Sequence, residues 1–197
     1  MKLRHVTVAI VVFMLLALNT IFVHSAAGQQ LSYAQYLELY GDKPAPNLEY
    51  ILPGGSFSAG ENVEFVTAYG GTSGSFAATG ETGFVEWELE IEEEGLYHIA
   101  VLYHPLPGKS IAAERELLIN GERPFQEVEY VVLPRIWADE GPVLEDKNGN
   151  QIRPRQIEEP QWQSVVLRDS LGYITQPFQF YFPKGINRIA LRSQAEP

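Results

Sequence analysis

The sequence predicts an all-β fold, an antiparallel, jelly-roll-like β-sandwich preceded by an apolar N-terminal signal or anchor helix and one short helix. Three observations predict it. In "FVEWELEI" (84–91) the residues alternate with a period of two, so Val85, Trp87, Leu89 and Ile91 share one face and Glu86, Glu88 and Glu90 the other. Short segments of this kind recur, separated by Gly, Pro and Asn-Gly turn signals. No long amphipathic helix separates them and no repeat suggests propeller blades, so two packed sheets bury the apolar faces best.

The elements follow in chain order. Lys2 and Arg4 precede an apolar run over 6–23, broken only by Asn19 and Thr20, and the small residues of "HSAAGQQ" follow it. These are the parts of a secretory signal cut before Gly28, although the run also approaches the ~20 residues that span a bilayer. Residues 1–27 are therefore read as a signal peptide or a membrane anchor. In either case the remainder is expected to be exported, extracellular or attached to the cell surface, touching a membrane only through this segment. Residues 28–46 are expected to form a short helix and linker. Ser32 with Gln35 three positions on is a capping-box pattern, Tyr33, Tyr36, Leu37 and Tyr40 lie at helical spacing, and Gly41, Pro44 and Pro46 stop the helix.

The sandwich is expected over 47–197, apparently lacking its last strand. Strands are predicted at 84–91, in "LYHIAVLYH" (96–104), in "ERELLIN" (114–120) closing on Asn120-Gly121, and in "SVVLRD", "FQFYF" and "NRIALRS". Residues 68–83, rich in Gly, Ser and Thr, read as a flexible loop. Residues 123–162 form a long irregular excursion with one strand and one hairpin, a length at which loops tend to carry function.

Composition excludes several classes. The 197 residues include no cysteine, which rules out disulfides, thiolate metal sites, a cysteine nucleophile and a lipidated cysteine. The formal charge is −11, and with residues 1–27 removed 12 basic and 25 acidic side chains leave −13. A chain this acidic is expected to have no nucleic acid as partner.

Motifs that suggest chemistry mostly dissolve on inspection. The Gly108-Lys109-Ser110 of "HPLPGKS" lacks the glycine five positions earlier that a phosphate loop needs, since Tyr103 stands there, and Pro105 and Pro107 remove two N–H donors. "EDKNGNQI" (145–152) places Asp146, Asn148 and Asn150 at alternate positions like the start of a calcium loop. Gln151 and Ile157 stand where that loop wants Gly and Glu, and Asn148-Gly149 is itself a turn signal. No cofactor is expected, and a structural calcium is unsupported. Runs of carboxylates select no pair set across a cleft, so a glycosidase fragment is a minor alternative. His98 and His104 fall on one strand face without a third metal ligand.

What remains are aromatics and planar donors in and after the excursion: Arg135, Trp137, Arg153, Arg155, Trp162 and Tyr173. A tryptophan in an irregular segment beside arginines suits carbohydrate, because a pyranose stacks its apolar face on the ring while guanidinium groups bind hydroxyls. Trp137, Arg135, Arg155, Trp162 and Tyr173 are the candidate ligand-binding residues, with no catalytic residue and no enzyme activity expected. The alternative reading makes Trp137 a pin for the excursion and Trp162 a core residue of the following strand, with Arg153 and Arg155 paired to surplus acids.

"GFVEWELEIEEEGLYHIAVLYHPLPGKSIAAERELLINGE" and "KGINRIALRS" resemble the strands of carbohydrate-binding-module-like, or galactose-binding-like, sandwiches. "FSAGENVEF", "ERELLINGERPF", "NGNQIRPRQIEEPQW", "DSLGY" and "PFQFYFPKGINRIAL" resemble the N-terminal region of large extracellular solute-binding proteins of ABC transporters. This resemblance implies a non-catalytic accessory domain for sugar uptake, an N-terminal fragment that binds glycan and reaches an ABC permease through a missing C-terminal part. A structural or docking domain packed on that missing part is the other role it allows.

Overall fold

The computed structural model describes residues 30–107 and 111–193. The segment read as a signal or anchor and the Gly-Lys-Ser both lie outside the described residues. No helix among the described residues is long and apolar enough to cross a membrane.

Among the described residues one α-helix, α1 (Tyr33–Tyr40), is followed by thirteen strands: β1 (Ala59–Tyr69), β2 (Thr72–Ile91), β3 (Gly95–Tyr97), β4 (Ala100–Tyr103), β5 (Ala113–Ile119), β6 (Val131–Leu133), β7 (Trp137–Asp139), β8 (Leu144–Glu145), β9 (Gln151–Ile152), β10 (Gln156–Glu158), β11 (Gln163–Val166), β12 (Phe180–Phe182) and β13 (Gly185–Ser193). The first layer is an antiparallel sheet in the order β1-β2-β13-β5-β6. Its wet face carries cross-strand charge pairs. Arg188 stands opposite Glu88 and bonds it at 3.1 Å, and Arg192 stands opposite Glu116 and bonds it at 3.2 Å. Glu116 also holds Arg123 at 2.8 Å, so its buried carboxylate serves two guanidinium groups.

The second layer is one bent strand and its partner. β11 pairs with β4 and β12 with β3, both antiparallel. The Leu167 N–H donates to Ile99 O at 2.9 Å and the Phe178 N–H to Leu167 O at 2.9 Å. β11 and β12 thus lie along the same edge, and the loop 168–177 leaves between them and returns to where it left. Between the layers sits a core of Ile91, Leu117, Ile119, Phe125, Val128, Leu167, Phe178, Phe180 and Phe182. Phe125 stacks on Phe180 with ring centroids 5.5 Å apart. Phe178 also lies against Phe125 (5.0 Å) and Phe180 (6.3 Å), so three buried phenylalanine rings form one cluster that adds apolar burial at this end.

The capping box at α1 is formed as the sequence predicts, with Ser32 and Gln35 each satisfying the other's backbone N–H. Alternation in 84–91 also holds, with Val85 and Ile91 buried and Glu88 and Glu90 exposed. One expectation fails: 68–83 is no flexible loop. Tyr69 pairs with Thr72 across Gly70 and Gly71, and both glycines have positive φ, 54° and 77°, so the run forms the two-residue turn of a long hairpin. The small residues after it lie in β2 because β1 supplies their backbone partners.

Candidate functional site

The excursion folds into two small ribbons. β7 pairs with β10 in the register Trp137↔Glu158, Ala138↔Ile157, Asp139↔Gln156, and the ladder continues through the Glu140 N–H to Arg155 O at 2.9 Å. Successive side chains on a strand point to opposite faces. Trp137, Asp139 and Gln156 therefore share one face, and Arg155 belongs to the other.

Trp137 is 40% exposed. Along the same face the Gln156 side-chain amide donates to the Asp139 carboxylate. Beside them Asp139, Val143, Gln151, Arg153, Pro154 and Gln156 line a depression of about 470 Å³. It offers carboxylate and amide oxygens as acceptors, and amide and guanidinium N–H groups as donors.

The hairpin β8–β9 forms one wall. Its turn is closed by Asp146, whose carboxylate accepts from the N–H groups of Asn148 at 2.8 Å and Asn150 at 2.9 Å and from the Asn150 side chain at 2.9 Å. These bonds, the Asn150 side chain first, hold its carboxyl below the usual carboxylate range. The alternate Asp-Asn-Asn positions are thus tied to their own turn. Among the described residues no three His, Asp or Glu side chains come together to hold a metal ion.

The other sequence candidates do not line the depression. Arg135 is a clamp: its side chain, 10% exposed, pairs with Glu158, donates from Nε to Ile111 O and donates from Nη1 to Leu106 O at 2.9 Å. Those bonds tie the ribbon to the strand connection 104–112. Trp162 packs among Phe76 (4.8 Å between centroids) and His104 (5.5 Å), and its Nε1–H donates to Tyr69 O at 3.3 Å. This cluster joins the β1–β2 turn to the end of β4. Tyr173, 86% exposed, stands on the loop 168–177. There the Asp169 carboxylate accepts from the N–H groups of Leu171 (3.1 Å), Tyr173 (2.7 Å) and Ile174 (3.0 Å).

Of the residues weighed in the sequence, Arg153 lines the depression, and Trp137 shares a ribbon face with Asp139 and Gln156, which line it too. Asp139, Gln151 and Gln156 were not singled out by the sequence. The signal that finds two of them is the strand period, Trp137-Ala138-Asp139, once Gln156 is known to pair with Asp139.

The fold and this site define a class: an antiparallel β-sandwich carrying a solvent-facing tryptophan beside a shallow polar depression. No family model matches the sequence, and no curated protein does. Two chains of solved structures match. One is the native structure of a family 35 carbohydrate binding module from Clostridium thermocellum, at 14% identity and a TM-score of 0.37 over 70% of this chain and 80% of that one. A likeness so slight assigns neither family nor ligand.

Proposed function

We propose that this chain is a non-catalytic, glycan-binding β-sandwich whose ligand stacks on Trp137 and is held by the polar groups of the adjacent depression. The observation that carries the reading is the exposed Trp137 ring on the same ribbon face as the Asp139–Gln156 pair. A sugar has an apolar face and a rim of hydroxyls, and this site presents a ring and a rim of donors and acceptors in the matching order. Arg153, a lining residue, supplies the guanidinium here. Arg155, on the opposite ribbon face, and Tyr173, on the loop 168–177, take no part in this platform, whereas Arg135 and Trp162 position the ribbon and strands. The platform is shallow, so affinity is weak: one stacked aromatic contributes about 1 kcal/mol beyond its buried area.

The motifs quoted above support a place as an accessory domain of an extracellular, sugar-uptake solute-binding protein. The composition of residues 1–27 supports export. Titration with a glycan panel, followed by tryptophan fluorescence, tests the site. Saturable binding lost in Trp137→Ala upholds it; a silent wild type, or a variant with wild-type affinity, removes it.

A docking role is favoured by a different observation. Leu144 and Ile152, paired across the β8–β9 hairpin, are 61% and 50% exposed. An apolar cross-strand pair bared in this way suits burial by another protein domain. Unchanged self-association and partner capture in Leu144→Asp would remove that reading.

A further inference from the structure

Beside the phenylalanine core, bordered by Ile91, Leu117 and Phe182, a cavity of about 1160 Å³ opens between the two layers. Native interiors close such space to fragments smaller than a water molecule, so this is an opening of the size ligands use. Its walls are mainly apolar, including Val85, Trp87 and Leu191 from the first layer and Ile99, Val101 and Tyr103 from the second. It is also long. Tyr97, Ile99, Val101 and Tyr103, the alternate residues that face inward, border it over about 20 Å at about 3.3 Å per residue. A compact ring would occupy a fraction of that length, whereas an extended chain fits along it.

Glu49, Glu81, Glu114, Arg115 and Arg135 are the charged residues that border the cavity, and of these Arg115 stands on the inward row of β5. In β5 alternate residues Leu117 and Ile119 face the core, and two positions earlier the same face carries Arg115. Its side chain lines the cavity and donates at 2.8 Å to Glu114 O, 3.0 Å to Gly80 O and 3.3 Å to Thr79 Oγ1. All three acceptors are neutral. Arg123, Arg135, Arg188 and Arg192 each bond a carboxylate, and among the described residues none bonds Arg115. Burial pulls its pKa below the ordinary guanidinium value. In a chain so rich in acids, a half-buried guanidinium held by neutral oxygens leaves its charge for something else to balance.

From these observations we infer that the inter-sheet cavity is a second binding site, for a long-chain carboxylate whose acyl chain lies between the sheets and whose head group meets Arg115. The site is separate from the ribbon platform, and neither depends on the other. The carboxylate supplies the anion that the protein withholds from Arg115, and the chain covers the apolar walls of both layers.

Calorimetric titration of the full chain with dodecanoate and with dodecan-1-ol tests the inference. The carboxylate is expected to bind saturably at one site, and the alcohol about tenfold or more weakly, since it offers no charge-assisted bond. Arg115→Gln should bring the carboxylate down to the level of the alcohol, while Arg115→Lys keeps most of the preference. Absence of saturable dodecanoate binding, equal affinity for acid and alcohol in the wild type, or an unaltered Arg115→Gln overturns it. Should Arg115→Gln not fold, the wild-type comparison of acid with alcohol decides alone. Trp137→Ala, which removes the ribbon platform, should leave dodecanoate binding unchanged, so either site can fail without the other.

Discussion

The Tyr36 hydroxyl accepts a hydrogen bond from the Tyr181 backbone N–H at 2.8 Å, and one turn earlier Tyr33 does the same for Gln179 at 2.9 Å. Two phenols on one helix therefore satisfy the outward N–H groups on the open edge of β12. A sheet edge is ordinarily exposed to pairing with other chains, and here a helix laid beside it takes up its donors. Tyr36→Phe leaves the Tyr181 N–H buried without its partner and should cost about 1–3 kcal/mol, read from chemical denaturation. A wild-type midpoint in that variant would show the bond to be dispensable.

The same phenols set an alkaline limit. Burial pushes the Tyr36 pKa up to about 12 from 10.0 and raises that of Tyr33 as well. The folded state thus favours the neutral phenol. Its contribution is complete below pH 10, where the unfolded chain also keeps its protons, and it is lost as the pH rises to about 12. Thermal midpoints should fall through that window, and Tyr36→Phe should flatten the fall. Identical pH profiles for wild type and variant would remove Tyr36 from the account.

Gly95 shows how closely the segment after α1 is fitted to β3. A Cβ at this position would come 2.4 Å from Pro46 Cδ and 2.5 Å from Pro44 O, the carbonyl that accepts from Leu96 N–H. Gly95→Ala must displace that backbone and should cost about 1–3 kcal/mol. Equal stability in denaturant would mean that residues 44–46 shift without loss.

Asn187 is fully buried in β13 and bonds in three directions, donating to Pro183 O (2.8 Å) and Gly185 O (3.0 Å) and accepting from Asn120 Nδ2 (3.0 Å). Asn187→Leu strands those groups in an apolar site, at a cost of about 1–3 kcal/mol for each group left unpaired. Thermal denaturation checks it, and a loss of a few tenths of a kilocalorie would imply that water replaces the amide.

How far the sequence revealed this depended on distance along the chain. The Ser32–Gln35 cap and the alternation from Val85 to Ile91 are local patterns, and both are legible without the fold. The hairpin over 59–91 was obscured because a glycine-rich composition matches a loop and a tight turn equally well. Only pairing with β1 separates the two. At the site, exposed Trp137 was legible as a residue type. Arg135 was not, because its role is fixed by Leu106, Ile111 and Glu158, all remote in sequence. Arg115 escaped notice for the same reason, since Thr79 and Gly80 reach it across the sheet.

Asp169 organises the loop that interrupts the second layer, accepting three backbone N–H groups within five residues. Asp169→Ala should speed amide exchange at Leu171, Tyr173 and Ile174 and leave the β11 amides protected. Uniform protection in the variant would mean that the loop holds its shape by other means.

Because the chain leaves the edge at Leu167 and rejoins it at Phe178 through a 2.9 Å bond, the two strand halves keep step whatever lies between them. The loop is in effect a socket. Its contents can be lengthened or exchanged at an entropic cost of only about 0.6 kcal/mol per doubling, while the sheet beneath keeps its register. A Gly-Ser tract spliced in beside Gly172 should lower the midpoint of unfolding by no more than a few degrees. The fold thereby offers a variable surface on an invariant frame, a place where new recognition can be added without refolding the domain.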